Sequence, residues 1–402
     1  MLRKIDTRQL QPGMFLHELC GNWINHPFWR TSFKLKDAAQ IAKIVDSGIT
    51  EAMIDTDKGL DVAVATAPPP APAAPVVQTA PKTAAPKFVP IAAEIARASS
   101  IVAESKKAVV SMFNEARMGK AVEAENVMPL VEEISASVAR NPGALISIAR
   151  LKSADDYTYM HSVAVCGLMI ALARQLDFDE EQTREAGMAG LLHDVGKMAI
   201  PLEVLNKPGK LTDEEFTLVK GHPAAGHEML KGGKGVSEIA LDVCLHHHEK
   251  IDGSGYPHKL AGDSISLFAK MGAVCDIYDA ITSERPYKRG WDPAEAVHKM
   301  ASWSKGHFDE RVFQAFVKSV GIYPVGSLVR LQSGRLGVVT EQSDNSLLVP
   351  KVKVFFSLKS QVRLPPQIID LARTPGDRIV GQEDPEKWNF EDLNQLWGGG
   401  PR

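Results

Sequence analysis

HDVGKMAIP, residues 193–201, sets an imidazole and a carboxylate side by side on or next to a predicted helix, with a lysine one helical turn beyond. A His-Asp dipeptide carries little by itself, because a chain with 12 histidines produces such neighbours by chance. Its weight comes from its company. Eight of the 12 histidines fall between His161 and His258, and several stand beside carboxylates. In chain order the candidates are His161, His193 with Asp194, His222, the run His246-His247-His248 followed by Glu249, and Asp276. Neutral imidazole and carboxylate suit Fe, Mn, Zn or Co, and the lack of thiolates among them argues against a structural zinc site. About seven or eight donors are too many for one four- to six-coordinate ion. Asp194, with two oxygens, is the group able to join neighbouring cations. Two ions a few ångströms apart bind one phosphate between them, polarise it and hold a hydroxide for in-line attack, so the expected reaction is phosphoester hydrolysis.

Around this string nearly every segment from Ala144 to about Ala315 reads as helix, broken by Lys207-Pro208-Gly209 and Asp252-Gly253-Ser254-Gly255. Upstream, Ile91, Ile95, Ile101, Val102, Val109, Val110 and Phe113 recur at three- and four-residue spacings, with Glu94, Arg97 and Lys106 between them. A second helix fits residues 122–140 and ends at Asn141-Pro142-Gly143. Residues 63–90 are a Pro/Ala-rich linker: from 64 to 90 they hold eight of the chain's 25 prolines and no acidic residue, which favours extended polyproline II. Residues 1–62 read as a small α+β domain. It has a turn at Pro12-Gly13, an aromatic patch at Trp23, Phe28, Trp29 and Phe33, a helix from near Asp37, and a strand over Glu51 to Asp55. The aromatic patch suits the core of a small domain better than a partner surface. Beyond Tyr323-Pro324 come short β runs at Ser327 to Leu331, Gly337 to Thr340, Leu347 to Val349 and Val352 to Phe356. The expected fold is mainly α: a helical domain over residues 91–325 carrying the metal site, the α+β domain before it, and a small β-rich segment over residues 326–402.

With 402 residues the chain can bury a core without disulfide or metal staples. A formal charge of −3 gives no broad basic field, so DNA is not an expected partner. No apolar run approaches the roughly 18 residues that span a bilayer, and no secretory h-region follows the N-terminus. Cys20, Cys166, Cys244 and Cys275 stand far apart without a C-x-x-C pair. They read as reduced, buried residues of a cytoplasmic protein.

The string HDVGKMAIP, followed by LNKPGKLTDEEF, GHPAAGHEML, HHEKIDGSGYP at 247–257 and CDIYDAITSERPYK at 275–288, resembles the HD-GYP domain. That family is a subgroup of the HD-superfamily phosphohydrolases, associated in bacteria with degradation of cyclic-di-GMP. The resemblance covers roughly residues 91–325. It implies an all-α HD-type fold and two divalent ions, Fe or Mn first, with Zn, Co or Ni also open. By the family pattern one ion takes His161, His193, Asp194 and Asp276, and Asp194 bridges to a second held by His222, His247 and His248. Lys197 matches a family lysine that contacts phosphate or the bridging water. Gly255 and Tyr256 belong to the motif that names the family, and Arg285 and Lys288 match basic residues that hold the substrate's phosphate. Residues 1–60 resemble the small uncharacterised domain that often precedes HD-GYP domains.

One position departs from the pattern. Some members carry a glutamate four residues before the first histidine and use it to help hold a third metal, and here that residue is Tyr157. A phenol is a poor ligand for a divalent ion at neutral pH, so the expectation is a binuclear site that releases mainly linear pGpG. A catalytically silent receptor for the messenger, and a phosphodiesterase for another cyclic dinucleotide such as cyclic GMP-AMP, stay open. Also open are a signalling partner reached through the N-terminal domain and pairing of the helices at 91–140 in a homodimer. His246 reads as a spacer or ligand-supporting residue, and Glu249 as a group orienting a ligand or pairing with a cation. Asp279, one turn after Asp276, either orients a histidine or Lys197, or forms a plain helix salt bridge.

Overall fold

The computed structural model describes residues 2–20, 32–46, 49–60, 88–150, 157–207, 209–283, 290–343, 346–388 and 390–398. By contact the chain divides after Lys87. In the first unit, β1 (Leu2–Asp6), β2 (Phe15–Cys20), β3 (Phe33–Lys34), α1 (Ala38–Asp46) and β4 (Glu51–Asp55) follow in order. The strands form one antiparallel sheet in the order β1-β4-β2-β3. Their inward residues, with those of α1 and the loops, make a core of Ile5, Leu10, Met14, Leu16, Leu19, Leu35, Ile44, Ile49, Ala52 and Ile54. That core is aliphatic. Phe33 packs on it half-buried, while Trp23, Phe28 and Trp29 of the expected aromatic core lie outside the described residues.

The second unit opens with α2 (Ile91–Arg117), α3 (Met128–Arg140), α4 (Pro142–Arg150), α5 (Tyr157–Gln175) and α6 (Glu180–Leu192). It continues with α7 (Leu202–Leu205), α8 (Asp213–Val219), α9 (His222–Lys231), α10 (Glu238–His246), α11 (Leu267–Thr282), α12 (Pro293–His307) and α13 (Glu310–Val320). Ile91, Ile101, Val102, Val109 and Phe113 of α2 are buried, as their spacing predicts. Glu94 is not on the solvent face as its position in the pattern suggests. It is fully buried, accepting from the Arg140 guanidinium at 2.7 and 2.8 Å and from Ser137 Oγ at 2.9 Å, which fastens α2 to α3. The expected helix over 122–140 starts later, at Met128, after a 3₁₀ turn over Ala124–Val127.

Helix α5 is the axis of this unit. Residues 160–173 are buried on every side, and α2, α3, α4, α6, α11 and α13 pack around it. A helix apolar all round is stable only when so enclosed. His161 is the main polar interruption of that surface, so the fold carries an imidazole to a position only 1% exposed.

After α13 the chain forms β5 (Leu328–Leu331), β6 (Arg335–Glu341), β7 (Lys351–Ser357), β8 (Val362–Asp370) and β9 (Ile379–Gln382), then α14 (Pro385–Trp388) and α15 (Leu393–Gly398). The sheet is antiparallel in the order β8-β7-β6-β5-β9, over a core of Val329, Leu331, Val339, Val352, Val354, Ile369 and Leu371. Three of the four expected β runs become strands. Leu347 to Val349 instead lies in a turn, and β8 and β9 have no counterpart among the expectations. Pro365 and Pro366 disguise β8, and they are tolerated because β8 is an edge strand where missing donors disturb few ladder bonds. The sheet is stitched to the helices by buried Asp292. It caps α12 through the Ala294 N–H at 2.8 Å and accepts from the Leu328 N–H at 3.3 Å and Gln382 Nε2 at 2.9 Å. Cys166, Cys244 and Cys275 are buried and unpaired. Among the described residues, no helix is long and apolar enough to cross a membrane.

Candidate metal centre

Five helices deliver the candidate donors. His161 comes from α5, Asp276 from α11, and His222 from the first turn of α9. His193 and Asp194 stand where α6 gives way to a 3₁₀ turn over Val195–Ala199, and His247 and His248 follow the end of α10. The seven residues converge in two groups. In each of the sets His161/His193/Asp194/Asp276 and His222/His247/His248, one ligand atom per residue lies within 4.8 Å of the others. All are buried except His248, which is half-buried.

Asp194 sits between the groups, and its two oxygens face different ways. Oδ2 stands 3.3 Å from His161 Nε2 and 3.3 Å from His193 Nε2, whereas Oδ1 stands 3.2 Å from His222 Nε2 and 3.8 Å from His247 Nε2. Lys197 Nζ donates to Oδ2 from one turn further on. Asp276 Oδ1 lies 2.9 Å from His161 Nε2, and its Oδ2 lies 3.7 Å from His248 Nδ1.

The imidazoles are aimed by what holds their far nitrogens. His193 Nδ1 meets the Gly190 carbonyl at 2.8 Å, His222 Nδ1 the Val219 carbonyl at 2.7 Å, and His247 Nδ1 the Val243 and Cys244 carbonyls at 3.0 Å. Each of these carbonyls belongs to the turn just before its histidine. Nδ1 is thereby the donor, and Nε2 is left with its lone pair directed at the common centre. His193 Nε2 and Asp194 Oδ1 are buried and make no hydrogen bond. Orphaned buried polar atoms are expensive unless something occupies the space they face, and a divalent cation suits this donor set.

The electrostatics agree. Burial would lower the His161 imidazole, but hydrogen bonds to Asp194, Asp276 and Asp279 push it up to about 10. Burial and then the neighbouring imidazoles of His248 and His193 press His247 well below its usual range, and burial takes His248 down to about 4. Against the raising effect of burial, Lys197 and His193 hold Asp194 well below the carboxylate range, and His161 and His193 do the same for Asp276. The pocket thus sets two carboxylates, held ionised, beside His161 and His193 on one side and three imidazoles on the other.

Two glycines let the backbone come close enough. A Cβ on Gly196 would lie 1.9 Å from the His222 carbonyl oxygen and 2.4 Å from Gly226 N, so only hydrogen there allows the 3₁₀ turn to seat against α9. A Cβ on Gly255 would lie 2.5 Å from Glu249 Cα and Lys250 N. The loop containing Gly255 therefore folds back onto the histidine pair. The Tyr256 N–H donates to the His248 carbonyl at 3.2 Å, and the Tyr256 and His248 rings lie 4.7 Å apart at 33°. Glu249, expected to orient a ligand or pair with a cation, instead accepts the backbone N–H groups of His258 and Leu260 at 2.7 and 3.0 Å, clamping this loop. His246 stays outside both groups, bound to Asp242 at 2.7 Å and His258 at 3.1 Å.

Arg285 and Lys288 lie outside the described residues, and so does the side chain of Tyr157, whose backbone begins α5 one turn before His161. Asp279 takes one of the roles open to it, with Oδ2 2.6 Å from His161 Nδ1. Ser283, which no sequence signal singles out, donates Oγ–H to Asp279 Oδ1 at 3.1 Å.

Two family models match parts of the chain, and one known protein matches nearly all of it. Residues 2–127 match a domain of unknown function, and residues 136–312 match the HD domain. A cyclic di-GMP phosphodiesterase of Pseudomonas aeruginosa is 56% identical over 99% of this chain and 96% of its own length. A cyclic di-GMP phosphodiesterase response regulator of Xanthomonas campestris is 43% identical over 38% of this chain and 40% of its own. A 3'3'-cGAMP-specific phosphodiesterase of Vibrio cholerae is 34% identical over 41% of this chain and 38% of its own. With an HD domain around the paired donor groups and near full-length identity to such a relative, the chain belongs to the HD-GYP family.

Proposed function

We propose that this chain hydrolyses a 3′,5′-phosphodiester bond of cyclic-di-GMP, releasing mainly linear pGpG, at a centre of two divalent transition-metal ions. The observation that carries the reading is the placement of Asp194, whose two oxygens address two separate donor groups. His161, His193, Asp194 and Asp276 would hold one ion, and Asp194, His222, His247 and His248 the other, with Fe or Mn suiting the N/O donors. When bound, such a pair polarises the phosphate and lowers the pKa of the attacking water.

The chain's own residues do the rest. Lys197, turned onto Asp194, places an ammonium beside the reacting phosphate, where it offsets charge that grows in the transition state. Asp194 fixes the spacing of the two donor groups, and Tyr256 and Gly255 hold His248 and shape the rim. Arg285 and Lys288 are assigned to the phosphates of the substrate, and Tyr157 in place of an acidic residue keeps the site at two ions. This assignment gives catalysis to residues 91–325. It leaves residues 1–62, the linker at 63–90 and residues 326–402 to control or support. The three buried, unpaired cysteines suit a reducing cytoplasm.

The long relative named for cyclic di-GMP favours that substrate over cyclic GMP-AMP, and a complete donor set speaks against a silent receptor. Anaerobically purified, metal-replete protein is expected to carry about two ions per chain and to convert cyclic-di-GMP to pGpG faster than it cleaves cyclic GMP-AMP. Asp194→Ala is expected to abolish turnover. Tight cyclic-di-GMP binding without product would replace the enzyme reading with a receptor. Three ions with rapid GMP release would overturn the role given to Tyr157.

A further inference from the structure

We propose that Asp279, held by Ser283, is a positioning residue that makes the two ion positions unequal, the His161 position binding more tightly; this rests on the binuclear reading above. The far nitrogens of His193, His222 and His247 all meet backbone carbonyls. That of His161 meets a carboxylate, Asp279 Oδ2, at 2.6 Å. A carboxylate withdraws the Nδ1 proton more strongly than a carbonyl does and makes Nε2 the better electron donor. Both partners are enclosed, His161 at 1% and Asp279 at 2% exposure, so water does not screen the pair.

The charge count points the same way. The His161 position has Asp194 and Asp276 as direct donors and Asp279 behind them, with the single Lys197 ammonium at Asp194 Oδ2, whereas the His222 position shares Asp194 and is otherwise three imidazoles. Asp279 follows Asp276 by three residues on α11, so one helix face delivers both the ligand and the group that orients its neighbour. Ser283, buried at the C-cap of α11, donates to Oδ1 of Asp279 and so helps keep the carboxylate turned toward His161. Mn²⁺ is therefore bound first at the carboxylate-rich position, and the imidazole-rich position fills second.

Calorimetric titration of chelator-stripped, full-length protein with Mn²⁺ tests this, with electron paramagnetic resonance reporting single against paired ions. Wild type is expected to show two separable steps. Asp279→Asn, which keeps the shape, is expected to weaken the tighter step by about 10- to 100-fold and leave the weaker one in place. Ser283→Ala is expected to weaken the same step by about three- to tenfold, and Ser283→Thr to restore it. His222→Ala should remove the weaker step alone. Equal weakening of both steps in Asp279→Asn, or none in either Asp279→Asn or Ser283→Ala, overturns the proposal. Uptake of only one ion by the wild type refutes the binuclear reading itself.

Discussion

Gly196→Ala adds one methyl group, yet it is expected to empty half the site. The new Cβ would stand 1.9 Å from the His222 carbonyl oxygen, where real Cβ contacts begin near 3.0 Å, so the two backbones must part by at least 3.0 − 1.9 = 1.1 Å. No rotamer can relieve the clash, because the opposing atoms belong to the backbone of α9. His222 leads α9 and would move with it, away from Asp194 Oδ1, now 3.2 Å from its Nε2. Metal–ligand distances tolerate about ±0.2 Å, so a shift several times larger removes a ligand from the second position. Displacement of a reacting constellation by about 1 Å lowers rate by about 10²-fold, equivalent to ~2.7 kcal/mol of transition-state stabilisation. Metal content should fall from about two ions per chain toward one, and kcat/KM on cyclic-di-GMP by about 10²-fold, with a circular-dichroism melt verifying that the helices persist. Gly232→Ala is the control, since a Cβ there meets nothing within 4 Å. If Gly196→Ala retained two ions and a rate within about threefold of wild type, close packing of the 3₁₀ turn on α9 would not be what positions His222.

Tyr256→Phe keeps the ring that lies 4.7 Å from His248 and is expected to hold kcat/KM within about threefold. Tyr256→Ala frees His248 and is expected to lower it by about tenfold or more, so equal effects of the two changes would transfer the role from the ring to the hydroxyl. Asp292 sets a pH dependence of stability. Burial raises its carboxyl to about 6, above its ordinary 3.8, so between those values the folded chain holds a proton that the unfolded chain has released. Its stabilising contribution is present below about pH 4 and is lost as pH rises through 6, by up to ~3 kcal/mol. Urea denaturation at a series of pH values should show that slope in the wild type and flatten it in Asp292→Asn; parallel curves would exclude Asp292 as its source.

The helical unit was legible in the sequence because burying one face of a helix leaves a three- and four-residue rhythm, as Ile91 to Phe113 show. The candidate donors could be picked out because a metal site needs particular side chains, and those have letters. What holds the donors does not: the carbonyls of Gly190, Val219, Val243 and Cys244 aim three imidazoles, and any residue supplies a carbonyl. Their only trace is position, each histidine falling three or four residues after its partner near a helix end. Glu94 was hidden for the opposite reason, since a carboxylate reads as solvent-facing until its buried partner, 46 residues away at Arg140, is known. In β8, Pro365 and Pro366 contradicted a strand, and only the strand order shows that it lies at the edge.

The end of α6 explains how a single dipeptide can reach both donor groups. Neighbouring side chains on a continuing helix point about 100° apart, so His193 and Asp194 could not both enter one pocket if α6 ran on. His193 still has helical angles, φ −53° and ψ −33°, but Asp194 departs to φ −105° and ψ 9° as the chain tightens into the 3₁₀ turn. That departure swings the carboxylate between the groups of α5 and α11 on one side and those of α9 and α10 on the other. Gly196, two residues on, then lets α9 close against the turn and bring His222 to the free oxygen. The position of Asp194 between the two groups therefore depends on a helix ending at this point as much as on the carboxylate. A glutamate in place of Asp194 would keep the charge but add a methylene, overshooting the gap that the turn has set.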